Sequence, residues 1–153
     1  MTYEGAKDGK HYWLTPPDLY AKLDAEFHFD MDPCPFPRPK GFDGLTVPWG
    51  QSNYVNPPFN GPTKWVRKAI AEFDQGKATV FVFPIDKWVH LMLSRCSEIR
   101  NLKDVRWFSI EDHLPGNGTG RHIAAFILDP KKTAKYHQTR FDKLDSLKDG
   151  VKP

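Results

Sequence analysis

Apolar residues recur along this chain in three rhythms, and each predicts a different kind of element. Leu19, Leu23 and Phe27 stand four residues apart, the spacing of one helix face, and Thr15 and Pro16 supply a cap and a first helical position, so a helix is predicted over 16–26. Residues 27–32 alternate apolar with polar or acidic side chains, which predicts a short strand that delivers Asp32 into Pro33, Cys34 and Pro35. A brief strand over 53–56 runs into Pro57 and Pro58. A second helix is predicted over 62–75, with Trp65, Ala69, Ile70 and Phe73 on its inner side and Gly76 ending it. Residues 78–83 are an unbroken β-branched and aromatic run bounded by Gly76 and Pro84, the pattern of a strand buried on both faces and the candidate central strand. The remaining pattern predicts a helix over 87–99, a strand over 105–109 and a last strand over 123–128, after a glycine-rich loop at 115–120. Strand and helix alternate, so the fold class is α/β with an open, mostly parallel sheet.

That sheet fits one domain over 1–130. From residue 131 the chain turns polar and charged, with one weak helical stretch near 136–147, and a peripheral or partly disordered tail over 131–153 is expected. Between Pro33 and Pro48 stand five prolines and two glycines together with Phe36 and Phe42. The segment is too broken for regular structure and too aromatic for a plain linker, so it is expected to pack over something.

Composition narrows the function classes only a little. Twenty-two Lys and Arg against nineteen acids give a net charge of +3, a slight bias toward a polyanionic partner. The cysteines, Cys34 and Cys96, have neither a second Cys nor a His at zinc-ligand spacing, so no metal is expected. The first ten residues lack an apolar core of signal-peptide length, and no run reaches membrane-spanning length, which makes a reducing cytoplasm the expected location and a membrane partner unexpected. None of the six His residues forms a defensible nucleophile and base pair.

The chemistry concentrates at Asn56-Pro57-Pro58-Phe59. Asn56 offers a side-chain carbonyl, Pro57 a backbone carbonyl, the prolines stiffen the turn, and Phe59 offers a flat stacking surface. Together they suit a planar amino group. In an open α/β sheet, ligands gather outside the carboxyl ends of the strands, and both Asp32 and Asn56 fall there. The segment around Asp43-Gly44-Leu45 and the approach to the first helix, from Tyr12 to Pro16, are expected at the same edge. Carboxylates and helix-start amides placed so would suit a nucleoside that carries an amino-acid moiety.

Taken in order, Trp13-Leu14-Thr15-Pro16-Pro17, Phe29-Asp30-Met31-Asp32-Pro33-Cys34, Asp43-Gly44-Leu45 with Trp49, Val55-Asn56-Pro57-Pro58-Phe59 and Trp65 resemble the phage-encoded Dam-type DNA adenine N6-methyltransferases over residues 12–128. The resemblance implies a single-domain, reduced Rossmann-like methyltransferase fold, S-adenosylmethionine as cofactor, and duplex DNA with a flipped adenine as partner, in a phage-infected or lysogenic bacterium. It implies that Asn56 and Pro57 accept hydrogen bonds from the N6 amino group and that Phe59, beside Pro58, stacks on the base. It places Trp13, Thr15, Pro16, Asp32, Pro33, Cys34, Asp43 and Leu45 around the cofactor, with Thr15 and Pro16 near its carboxylate, Asp32 at the mouth, and Asp43 and Leu45 about its adenine.

The chain departs from better-known methyltransferases in having no glycine between Asp32 and Gly41, so a glycine-rich cofactor turn is absent from that position. Asp30 or Asp32 is left to bind the ribose. No insertion is large enough for a separate recognition domain, so loops must read DNA. Arg38, Lys40, Lys64, Arg67, Lys68 and Arg121 are the candidate contacts, aimed at phosphates more than at base edges. Two other readings stay open from the residues: methyl transfer to another planar amine, such as a protein glutamine or an RNA guanine, and an inactive DNA-binding decoy.

Overall fold

The computed structural model describes residues 13–58, 61–105, 107–109 and 121–132. Its elements are β1 (Trp13–Leu14), α1 (Pro17–Phe27), β2 (Ser52–Val55), α2 (Thr63–Phe73), β3 (Ala78–Pro84), a 3-10 helix (Lys87–Leu91), β4 (Glu98–Lys103), β5 (Phe108–Ser109) and β6 (Ile123–Leu128). Four strands form one open sheet in the order β2-β3-β6-β4, while β1 and β5 make a separate antiparallel pair. The protein is of mixed α/β architecture.

The sheet corrects the expectation of mostly parallel pairing. Only the β2 to β3 ladder is parallel; β6 lies antiparallel to both β3 and β4. The physical reason is the insertion of β6. Parallel neighbours need a crossover such as α2, which joins β2 to β3, whereas β6 enters from the opposite end and reverses both ladders it makes. The strands β2, β3 and β4 nevertheless run in one direction, because β4 and β3 share β6 as their antiparallel neighbour.

Both faces are covered. Along β3, Phe81 and Phe83 pack on one side with Val66 and Ala69 of α2 and with Trp88 and Met92. Val80 and Val82 pack on the other side with Leu23 of α1, Tyr54, Val105 and Trp107. All six residues of β6 are buried, so the unbroken apolar runs of β3 and β6 follow from having a hydrophobic layer on each face.

Local departures have local causes. The helix expected over 87–99 shortens to the 3-10 helix, followed by a turn and β4. Asp86 Oδ1 accepts from the Lys87 amide at 2.6 Å and starts the helix, but Cys96 and Ser97 are fully buried against the sheet, and the Ser97 amide donates to Ile127 O at 2.9 Å, so tertiary pairing takes over. The strand expected over 105–109 reduces to β5, with Val105 and Trp107 used as core side chains. The strand expected over 27–32 is a single parallel bridge between Met31 and Asn53. Thr15 is not the cap of α1; Pro16 occupies that position with no side-chain cap, and Thr15 is turned elsewhere. The glycine-rich loop at 115–120, the tail from residue 133 and the first ten residues lie outside the described residues.

Candidate active site at the carboxyl edge

Residues 30–32 and β2 leave the sheet side by side. The Asp30 amide donates to Ser52 O at 2.9 Å and the Tyr54 amide to Met31 O at 3.0 Å. The Asp30 carboxylate accepts from the amides of Gln51 and Ser52, both at 3.1 Å. With both oxygens occupied by backbone, Asp30 clamps the strand, and of the two acids considered for the ribose only Asp32 remains at the edge. Met31 sits opposite Asn53, so Asp32 is level with Tyr54, and Asn56 stands two residues farther out on the neighbouring strand.

Asp32 Oδ1 accepts from the Cys34 amide at 2.9 Å, closing the turn into the proline-rich segment. Burial pushes its carboxyl up to about 6, with the Cys34 amide pulling the other way. The Cys34 thiol is pushed up to about 12, first by burial and then by the Asp32 charge, with Arg38 opposing, so it stays protonated and is not a nucleophile.

Tyr54 was not singled out from the sequence, yet it joins the site. Its hydroxyl hydrogen-bonds the Thr15 hydroxyl, and burial raises its phenol, with Asp32 and Tyr20 adding to the rise and Thr15 opposing it. The Tyr20 and Tyr54 rings meet edge to face at 5.1 Å. The signal that could have found Tyr54 is strand alternation: it lies out of phase with Asn53 and Val55 and so faces α1 and Thr15. Pro16 is buried and Pro17, like Pro16, has no amide hydrogen, which leaves the amides of Asp18 and Leu19 as the open donors of the first turn of α1.

The two aspartate turns are pressed together. A Cβ on Gly44 would lie 1.9 Å from Pro33 O, so only glycine permits the contact. Trp49, buried, donates from Nε1 to Gly44 O at 2.7 Å and fixes the loop from beneath. Asp43 Oδ1 accepts from the Leu45 amide at 2.9 Å, which shapes the turn. Pro33, Cys34, Arg38, Asp43 and Gly44 then line one cavity with Pro58 and Trp65. The structure therefore brings Pro33, Cys34 and Asp43 of the expected cofactor set to a common space with Pro58, while Thr15, Pro16, Asp32 and Leu45 do not line it. Asn56 is half-buried with its Oδ1 enclosed, Pro57 is buried and Pro58 half-buried. The side chain of Trp13 and all of Phe59 lie outside the described residues.

The basic candidates divide by environment. Lys40, Lys64 and Arg67 are exposed, and Arg38 is exposed at the cavity rim. Lys68 is committed to Glu72 at 2.8 Å, whose other oxygen binds Lys77 at 2.7 Å. Burial acts to raise the Glu72 carboxyl, but these two ammonium groups outweigh it and hold the acid below its ordinary range. Arg121 is exposed beside the start of β6, at the same sheet edge as Asn56. Among the described residues, no group of three His, Cys, Asp or Glu side chains could hold a metal ion, and no helix is long and apolar enough to cross a membrane.

The family model described as DNA N-6-adenine-methyltransferase (Dam) matches residues 4–148. The chain belongs to the Dam family. No curated protein matches it. Dam membership makes this an enzyme of the DNA N6-adenine methyltransferase kind, with DNA as the substrate.

Proposed function

We propose that the protein transfers a methyl group from S-adenosylmethionine to N6 of an adenine extruded from duplex DNA, at the carboxyl edge of a reduced Rossmann-like sheet. The observation that carries the reading is the single parallel bridge and two backbone hydrogen bonds between residues 30–31 and β2, which send Asp32 and Asn56 out of neighbouring segments at one end. The common direction of β2, β3 and β4, with helices on both faces, supports the fold part of the proposal.

The residues suit the cofactor. The cavity bounded by Pro33, Cys34, Arg38, Asp43, Gly44 and Trp65 is small, about 40 Å³, so it marks where these segments meet and would have to widen to take a nucleoside; Asp32 supplies a carboxylate for hydroxyl groups beside it. Thr15, Pro16, Asp32, Asp43 and Leu45 would hold S-adenosylmethionine, which when bound supplies an electrophilic methyl on a sulfonium. Asn56 Oδ1 and the Pro57 carbonyl would accept the two N6 hydrogens, turning the nitrogen lone pair toward the methyl, and Phe59 would stack on the base. Transfer of that methyl would leave the bonding pair on sulfur, and Asn56 and Pro57 would keep N6 held as it moves toward tetrahedral geometry. The surplus N6 proton passes to solvent afterwards, so no general base is needed before attack.

Purified protein, tritiated S-adenosylmethionine and unmethylated duplex DNA test this directly. Label in N6-methyladenine on nucleoside mass spectrometry is the expected result. Label in guanine or in protein glutamine would replace the acceptor, and absence of both label and bound S-adenosylhomocysteine would remove the reading. A cytoplasmic location with access to bacterial or phage DNA belongs to the same proposal.

A further inference from the structure

Ile85 is the large hydrophobic side chain that stands exposed among the described residues, at 51% of its surface. Its backbone is not loose. It directly follows β3, and its amide donates to His122 O at 2.9 Å, so a firm strand end holds an apolar side chain in water. Ile85, Asp86, Arg121 and His122 line an open recess there, and the exposed Lys87 follows in sequence. The Asp86 carboxylate accepts from the Lys87 amide and keeps its charge, so the surroundings of the apolar centre carry one acid against two cations, Arg121 in the recess and Lys87 next in sequence.

The recess shares its edge with the amine clamp. Val55 pairs with Phe81 in the parallel ladder, so Asn56 is level with Val82 and Ile85 lies three residues farther along the adjacent strand. At about 3.3 Å per residue, Ile85 stands about 10 Å outward of the clamp. A nucleotide whose base reaches Asn56 must run its backbone outward past this edge to rejoin the duplex.

We propose that Ile85 is a positioning residue for DNA: an apolar wedge that packs against the base pair beside the extruded adenine, with Lys87 and Arg121 toward the flanking phosphates. The inference rests on the methyltransferase reading above. Extrusion leaves an unstacked gap, and an apolar side chain that fills it offsets part of the unstacking cost, as branched aliphatic wedges do in DNA-kinking proteins. Duplex DNA is the occupant argued for because the family's substrate is DNA and the two cations outnumber the acid around the recess.

The test compares wild type with Ile85→Ser and Ile85→Leu on two substrates: a matched duplex, and the same duplex with the target adenine mispaired and so already partly unstacked. Ile85→Ser is expected to lose at least tenfold in methylation of the matched duplex and much less on the mispaired one. It should also lose the fluorescence rise of 2-aminopurine at the target position, with S-adenosylhomocysteine affinity unchanged; Ile85→Leu should restore most of the signal. Equal losses on both substrates, or no loss, would overturn the wedge while leaving the methyltransferase reading intact. If Ile85→Ser instead changed the sedimentation of the DNA-free protein, the patch would belong to self-association and the proposal would fall. A wild-type protein inactive on both substrates would sink the functional reading and the wedge with it.

Discussion

At the residue scale the site rests on two polar side chains with different tasks. On the proposed reading Asn56 accepts from the N6 amine, and it carries no part of the sheet pairing, which ends at Val55. Asn56→Ala is therefore expected to lower kcat by roughly 100-fold or more while S-adenosylhomocysteine affinity changes little, as read by calorimetry alongside turnover. Asp32 should act through its charge. Its folded carboxyl is raised from 3.8 to about 6, so the folded protein holds this proton more tightly than the unfolded chain. Asp32 thus adds stability at low pH that is lost as pH rises from about 4 through 6. Ligand binding should run the other way. An ionised carboxylate is the better acceptor for ribose hydroxyls, so affinity for S-adenosylhomocysteine should strengthen as pH rises through about 6. Asp32→Asn should flatten that dependence; a profile unchanged by the substitution would remove Asp32 from the ribose.

At the scale of elements, the apolar rhythm predicted the parts that packing alone decides. The runs of β3 and β6 lie where periodicity put them, because each is buried by neighbours that demand nothing but hydrophobic contact; α2 forms as expected, but its fully buried residues are Val66, Ala69 and the ion-paired Glu72, with Trp65, Ile70 and Phe73 only partly covered. What escaped the sequence was decided by distant hydrogen bonds. The chain at 93–99 has a helical pattern, but Ser97 pairs with Ile127, thirty residues on, and a local pattern holds no record of that partner. The Thr15 bond to Tyr54 and the use of both Asp30 oxygens on β2 were hidden for the same reason. Asn56 and Asp32 were legible because strand ends and prolines mark them. The fit between their flanking turns was not, since Gly44 meets Pro33 only in three dimensions. That contact yields its own prediction. With a Cβ 1.9 Å from a backbone oxygen, Gly44→Ala must shift the loop, and urea unfolding should show a loss of about 1–3 kcal/mol. Because Gly44 and Pro33 line the cavity, cofactor affinity should fall with it.

At the scale of the whole molecule the question is how a chain of 153 residues with net charge +3 holds DNA. Charge count is a poor guide, because the structure has already spent some of it. Lys68 and Lys77 both bind Glu72, which is 2% exposed, and Arg100 is tied to Glu26 and Glu98, each at 2.6 Å. These cations brace α2 and β4 and contribute little to an external polyanion. Lys40, Lys64 and Arg67 are exposed, with Arg38 at the cavity rim, so phosphate contact should concentrate there. Contacts of this kind hold the backbone without reading base edges, which favours low sequence specificity. Methylation mapping should then show adenines modified in many contexts; a single strict site of four or more bases would refute that. Salt dependence separates the working cations from the structural ones. Each phosphate contact contributes nearly one unit to the slope of log affinity against log salt, so Arg67→Ala should reduce the slope by about 1. Lys68→Ala, which breaks a bond to Glu72 instead, should leave the slope unchanged and lower the unfolding midpoint. Equal slope changes in the two variants would mean that Lys68 leaves Glu72 when DNA binds.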